Sequence, residues 1–401
     1  MDWKIAVGVG VLIVIIVIVI IIVTTTKDGY TSSEKNSTPT AGRKVLVLYT
    51  GGTIGMVETP SGEEPKAGFL EKQVKKFFAG ALNTEMTKYI SPYHIKEYTK
   101  LIDSSNATPA DWNTVAHDIV DHYSEYDGFI VLHGTDTMAY TSSALSFALD
   151  GLAKPVVVTG SQIPLQKLKN DGTLNLLSAL ILASNYTIPE VMLVFNNDIL
   201  RGNRAEKVSS TKLAAFGSPN FPPIGAFGYE PLPALNVNAT PPPNNSGGLQ
   251  PKFYSTDVHV HIAFLVPGMD FSTIKATVNA NPNIRGVILR TFGIGNGPTS
   301  NPVFIDMLKY LGSRDIVILN IPQPIEGHVD VGDYETGKTL TKYKVISGND
   351  MTVEAGYTKL LFLLSTEKSP DTVRKKLVVN MRGELSDTAT FPELAPPTIL
   401  T

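Results

Sequence analysis

Residues 44–56 read KVLVLYTGGTIGM, and the fold follows from how that stretch is read. Residues 45–49 form an unbroken apolar or aromatic run, which ends in Thr50-Gly51-Gly52-Thr53. A short run rich in Val and Leu and bounded by glycines predicts a strand buried on both faces of a parallel sheet. The glycines let the chain turn sharply and pass close to whatever lies at the strand's carboxyl end. In open α/β sheets ligands bind at that end, so Thr53 is expected to deliver its hydroxyl there. Gly-Gly-Thr after a strand is also an ordinary turn, and the functional reading gains its weight from later stretches.

Working outward, the same device recurs. Residues 128–137 read GFIVLHGTDT, a buried strand followed by a glycine, hydroxyls and the carboxylate of Asp136. Residues 154–160 form another apolar strand ending in Gly160-Ser161-Gln162, and Asp103-Ser104-Ser105 follow a short strand expected at 95–98. A strand at 191–196 leads to the charged loop RGNRAEK, 201–207. Helices are expected at 69–82, 142–149 and 170–185, and from Thr108-Pro109 to about 123, with Thr as cap and Pro at the first helical position. Residues 61–68 read as a Gly/Pro/Glu-rich loop. Strands alternating with helices predict a mostly parallel α/β sheet with helices on both faces.

Six prolines fall within 231–251, which marks a linker. A second α/β unit follows, with strands at 259–266, 286–291 and 316–321 and helices at 302–311, 351–364 and 370–380. The expected organisation is therefore an apolar leader at 1–23, a stalk at 24–42, a larger N-terminal domain at 43–230, a linker at 231–255, a smaller C-terminal α/β domain at 256–386 and a loose tail at 387–401.

Composition narrows the function. The 401 residues, 43% of them hydrophobic, suffice for two domains. A formal net charge of -3 without long runs of one sign gives no nucleic-acid surface. The chain has no cysteine, which excludes disulfides, thiolate catalysis and cysteine-bound metal. His259 and His261 alternate, but no carboxylate cluster or HExxH accompanies them, so no metal is expected. Residues 6–23 are uncharged and apolar, and eighteen residues is near the length of a membrane span. No small-residue cleavage site follows, which favours an uncleaved signal anchor over a signal peptide. Asn-x-Ser/Thr triplets occur at Asn36, Asn106, Asn185, Asn238 and Asn244. Asn36, Asn238 and Asn244, in polar Pro-rich segments, fit a glycosylated body on the extracellular or luminal side, whereas Asn106 lies beside the candidate site and is not expected to carry a glycan. On this reading the membrane is a partner through residues 6–23.

The polar strand ends make the constellation. A hydroxyl nucleophile needs a base or cation beside it; Lys207 and Asp136 are available. Backbone N–H groups of a glycine-rich turn can stabilise an oxyanion. That is equipment for acyl transfer at an amide or ester. The plainer readings are that Thr135 caps a helix, Lys207 is solvated, and Ser104 and Ser105 are turn residues.

These segments resemble a known family. YTGGTIGM at 49–56 and HGTDTMAYTSSALSF at 133–147 are similar to the two signature segments of the bacterial-type L-asparaginases. DSS at 103–105, VTGSQIP at 158–164, RGNRAEK at 201–207, FGIGNGP at 292–298 and NDMTVEA at 349–355 also fit, and the match is to the type I, cytosolic-like branch. The resemblance covers residues 43–386 and implies a two-domain asparaginase-like fold. It implies hydrolysis of L-asparagine to L-aspartate and ammonia through a threonine acyl-enzyme, without cofactor or metal. Thr53 corresponds to the nucleophile, and Thr135, Lys207 and Asp136 to the second hydroxyl–lysine–carboxylate set. Asp136 also corresponds to the receiver of the substrate's α-amino group, and Asp103, Ser104 and Ser105 to the segment holding its α-carboxylate. Relatives are homotetramers, dimers of dimers, and Asn296 corresponds to a contribution from a neighbouring subunit. Glu63 stands where many relatives carry a mobile-loop Tyr, so either another group assists Thr53, with Tyr334 of the second domain the candidate, or activity is reduced. Some relatives bind asparagine at a second site. Arg290 matches one of its residues, while Pro322 and Pro324 stand at two others. The rival functions are hydrolysis of glutamine or another amide or ester, and amino-acid binding without catalysis by a membrane-anchored protein.

Overall fold

The computed structural model describes residues 30–31, 42–60, 62–66, 68–81, 86–236, 239, 242, 247–330 and 335–386. The expected anchor at 6–23, Tyr334, Asn36, Asn238, Asn244 and the tail from 387 lie outside them.

The run at 45–49 becomes the buried strand Val45–Gly51. It pairs in parallel with Tyr93–Ile102 on one side and Gly128–Leu132 on the other. Gly128–Leu132 pairs with Val156–Thr159, and that strand with Val191–Phe195, all in parallel. Numbered along the chain, these strands lie side by side in the order 2-1-3-4-5. The order reverses between Val45–Gly51 and Gly128–Leu132, and such a reversal opens a crevice outside the carboxyl ends of the two strands. Beyond Val191–Phe195 the sheet continues antiparallel through Asp198–Arg201, Gly225–Ala226, Ala234–Asn236 and Tyr30–Thr31.

Both faces are covered, as the continuous apolar pattern requires. Leu46 and Leu48 pack with Trp112 and Val115 of helix Pro109–Asp121 and with Leu145 of helix Met138–Ala148. Val45, Val47 and Tyr49 pack on the opposite side with Leu70 and Val74 of helix Leu70–Ala81 and Leu176 and Leu180 of Gly172–Asn185. Each large side chain buried this way contributes about 1.5–3 kcal/mol. Pro109 opens its helix as expected, and Asp111 Oδ2 accepts from the Thr108 backbone N–H at 2.8 Å and the Thr108 hydroxyl at 2.7 Å.

The second domain is a four-stranded parallel sheet of His259–Phe264, Ile284–Thr291, Val317–Pro322 and Val345–Ser347, in that order. Ser272–Ala280 and Pro302–Ser313 cover one face. Helix Val353–Thr366 covers the other and packs on Met138–Ala148 of the first domain, so the two domains share a core. Inside that contact Ser143 Oγ and Thr358 Oγ1 are 2.7 Å apart and buried.

The structure adds elements to the sequence reading. The expected loop at 61–68 contributes one strand of an antiparallel ribbon, Met56–Thr59 with Gly62–Pro65. The strand expected at 95–98 runs from Tyr93 to Ile102. Ala234–Asn236, within the Pro-rich stretch, joins the first sheet. Helices Ser272–Ala280 and Glu335–Lys342 and strand Val345–Ser347 are further additions.

Candidate active site

Glycines bring the strand ends into direct contact. Gly52 has φ of 88°, and a Cβ there would lie 2.5 Å from Gly134 Cα. A Cβ on Gly134 would lie 2.5 Å from Ser104 Oγ. Real Cβ atoms do not approach so closely, so only glycine lets the Gly52 and Gly134 backbones touch and the Ser104 side chain lie against Gly134. Thr53 and Thr135 follow these two glycines in the chain, and the turn Ser104–Asn106 lies against Gly134. Thr137 Oγ1 fastens that turn by donating to Ser104 O at 2.7 Å.

Thr53 opens a short 3-10 turn, Thr53–Gly55, and is half-buried. Thr135 is buried, while Asp136 beside it is exposed. Lys207 reaches them from the ribbon Glu206–Lys207 with Phe216–Gly217. Its Nζ donates to Thr135 Oγ1 at 2.9 Å and to Asp136 Oδ1 at 2.7 Å. Thr135 in turn donates to Gln162 Oε1 at 3.1 Å. The buried hydroxyl therefore accepts from a lysine nitrogen on one side and donates to an amide oxygen on the other.

Asp103 and Ser105 are exposed, and Ser104 is buried. Asp103 Oδ1 accepts from Ser105 N at 3.2 Å, so the carboxylate caps its own turn. Asn296 stays within the second domain, where Thr336 Oγ1 donates to its Oδ1. Glu63 pairs by backbone with Glu58 in the ribbon, and its side chain, like all of Tyr334, lies outside what is described.

Sequence reasoning missed three contributors. Gln162 completes the bonding of Thr135 from the end of a neighbouring strand, and the signal was present in Gly160-Ser161-Gln162. Asp171 holds it there, accepting from Gln162 N at 2.9 Å and Ile163 N at 2.9 Å. His133 is buried between Gly134 O (2.8 Å) and Thr141 Oγ1 (3.0 Å), and burial holds its imidazole below the ordinary pKa. It braces the strand end as a neutral ring.

The doubly wound sheet, its switch point and this hydroxyl–amine–carboxylate set define a two-domain α/β amidohydrolase. The Asparaginase, N-terminal model matches residues 44–237, and the Glutaminase/Asparaginase C-terminal domain model matches residues 259–377. L-asparaginase 1 of Escherichia coli strain K12 is 44% identical over 347 residues, 86% of this chain and 98% of that protein. The crystal structure of L-asparaginase I from Vibrio cholerae is 40% identical, with a TM-score of 0.77 over 86% of this chain and 100% of that one. A Campylobacter jejuni structure described as a "probable cytoplasmic L-asparaginase" shares the fold at 20% identity, with a TM-score of 0.68 over 84% and 99% of the two chains. The chain belongs to the asparaginase family, and within it to the bacterial-like type I L-asparaginases.

The comparisons correct the expected placement. The expected body anchored in or secreted across a membrane finds no support in the relatives matched here, none of which is described as anchored or secreted. No helix among the described residues is long and apolar enough to cross a membrane. An apolar run of eighteen residues meets a length criterion, but length says nothing about where the following body resides. The glycosylation reading loses its premise with it. At Asn185 the amide is already engaged, donating to Tyr89 O and Ile181 O at 2.7 Å each.

Proposed function

We propose that the protein hydrolyses L-asparagine to L-aspartate and ammonia, with Thr53 as nucleophile and Thr135, Lys207 and Asp136 as the proton-handling set. The observation that carries this is Lys207 Nζ within hydrogen-bond reach of both Thr135 Oγ1 and Asp136 Oδ1, at the edge where Gly52 meets Gly134. Thr53 Oγ attacks the carboxamide carbon, and its proton passes to the Thr135–Lys207 pair and on to the departing nitrogen as ammonia leaves. Water then attacks the threonine ester, aspartate departs and Thr53 recovers its proton. In the resting arrangement Thr135 directs its hydrogen at Gln162 and accepts from Lys207. Accepting a proton requires Lys207 to give one up and the Thr135 hydroxyl to turn. The substrate's ammonium, seated on exposed Asp136, competes with Lys207 for that carboxylate and favours the change.

The turn Asp103-Ser104-Ser105 is assigned to the α-carboxylate. Asn296 is assigned to a neighbouring subunit's site in a homo-oligomer built as a dimer of dimers, and Tyr334 to assistance of Thr53 in place of Glu63. Ammonia release by the full chain from L-asparagine and from L-glutamine tests the reading. One methylene is worth about 1–3 kcal/mol in a pocket, so a preference for glutamine beyond about tenfold overturns the substrate assignment. Amino-acid binding without ammonia release overturns the catalytic one.

A further inference from the structure

We propose that Arg204 and Asp350 are positioning residues for Lys207: through this buried pair the second domain holds the segment that carries the lysine into the site. The inference rests on the reading of Lys207 given above.

The segment 201–207 looks solvated by composition, yet Arg201, Asn203, Arg204 and Ala205 are all at most 3% exposed. Arg201 is tied within its own domain, with Nε 2.7 Å from Glu190 Oε2. Arg204 is tied to the other domain. Its Nη1 lies 2.9 Å from Asp350 Oδ2, its Nε donates to Gly383 O at 2.7 Å, and its Nη2 donates to Ser386 Oγ at 3.1 Å. Asn203 Nδ2 adds a bond to Arg382 O at 2.9 Å. Asp350 is itself fixed, accepting from Ser386 N at 2.8 Å and Ser386 Oγ at 2.6 Å. The stretch 381–386 is anchored in turn by Glu384, which accepts from Met381 N at 3.0 Å and pairs with Lys359 Nζ at 2.5 Å, both side chains fully buried.

Lys207 itself has little local support. Its ribbon is two residues long on each side, continued by Val208 N donating to Ala215 O at 2.9 Å, with Phe216 of the partner strand in the core, so few ladder bonds fix Lys207 itself. Its backbone position is therefore set by the clamp at Arg204, and its head group by Thr135 and Asp136. Loss of the clamp leaves the hydroxyls in place and lets the amine drift. A misplacement of about 1 Å costs on the order of 100-fold in rate.

The test is steady-state kinetics on the full chain with L-asparagine, with melting temperature measured in parallel. Asp350→Asn is expected to lower kcat by about 100-fold, well below its melting temperature, with a small change in KM. The pH profile of kcat should move, because the surroundings of the lysine change. In a Lys207→Met background Asp350→Asn should cost nothing further, since it acts only through Lys207. A folded Asp350→Asn enzyme with parental kcat, or a penalty undiminished in the Lys207→Met background, overturns the proposal. Should Asp350→Asn fail to fold, Ser386→Ala removes one hydroxyl that touches both partners and reads the same coupling, with an expected loss of about tenfold. Lys207→Met with near-parental activity would sink the reading of the lysine itself. Lys207→Met inactive beside Asp350→Asn at parental kcat would sink the clamp alone.

Discussion

Glu206 and Lys207 are adjacent in sequence and belong to opposite kinds of surroundings. Lys207 enters a cluster whose hydrogen bonds are complete: Thr135, Asp136 and Gln162 each have a partner at 2.7–3.1 Å. Glu206 shares its electrostatic surroundings with Arg290 and Glu354 of the second domain. There, among the described residues, Arg290 Nε and Glu354 Oε2 are buried without a hydrogen-bond partner. Burial, then the nearby Glu206, push the Glu354 carboxyl up to about 7. Burial likewise holds Arg290 below its ordinary value, against the pull of Glu206 and Glu354. In the first cluster each polar group is paired with another. In the second, charge is costly. Pairing, more than burial alone, separates them.

The sharpest way to break the comparison is to empty the first cluster. Thr53→Ala should reduce ammonia release by at least about 10³-fold, because the nucleophile is gone while the surrounding bonds remain. Intact-mass analysis should show no acyl-enzyme. Activity within about tenfold of the parent would show that another group attacks. Next in size, Lys207→Met should cost about 10²- to 10⁴-fold, the usual worth of a positioned proton-transfer group. Thr135→Ala added to it should cost much less than it does alone, because the two act as one unit. Fully additive losses would separate them.

The second cluster answers to pH. A carboxyl raised from 4.5 in the unfolded chain to about 7 in the fold keeps its proton while the unfolded chain loses it. Its contribution is fully present below pH 4.5 and is lost as pH rises through about 7. The amount is on the order of 3 kcal/mol. Urea midpoints should therefore fall between pH 5 and pH 8 in the parent, and Glu354→Gln should remove that part of the fall. Equal falls in both proteins would mean that Glu354 does not titrate in this range.

Much of this contrast could be read before the structure. Val45–Gly51 and Gly128–Leu132 announce themselves by apolar runs ending in glycine, because burial on both faces demands that composition. The meeting of Lys207 with Thr135 and Asp136 was foreshadowed because strand ends are where a parallel sheet opens. What was hidden depends on distant partners. Arg204 looks solvated until Asp350 and the 381–386 stretch close over it. Ser272–Ala280 is rich in β-branched residues with poor helix propensity, and its packing on the second sheet overrides that. Ala234–Asn236 sits among prolines and pairs through a few backbone bonds that composition does not encode. Glu354 reads as an ordinary first-turn helix residue, and only the fold shows that it is buried.

The smallest expected effect tests how the first cluster is assembled. Gly134→Ala would put a methyl 2.5 Å from Ser104 Oγ, and relieving that contact should cost about 1–3 kcal/mol of stability. It should also lower activity, because Ser104 and Thr135 move apart together. Gly312→Ala is the control, since a Cβ there meets nothing within 4 Å and the residue lies in helix Pro302–Ser313. That change should stabilise by about 0.5–1 kcal/mol through reduced freedom of the unfolded chain. Thermal melts of both variants decide the matter. If Gly134→Ala melts with the parent and keeps its activity, the strand ends have slack. The close contact of Gly134 with Ser104 would then not be what gathers the polar groups, and the pairing within the first cluster would have to come from its side-chain bonds alone.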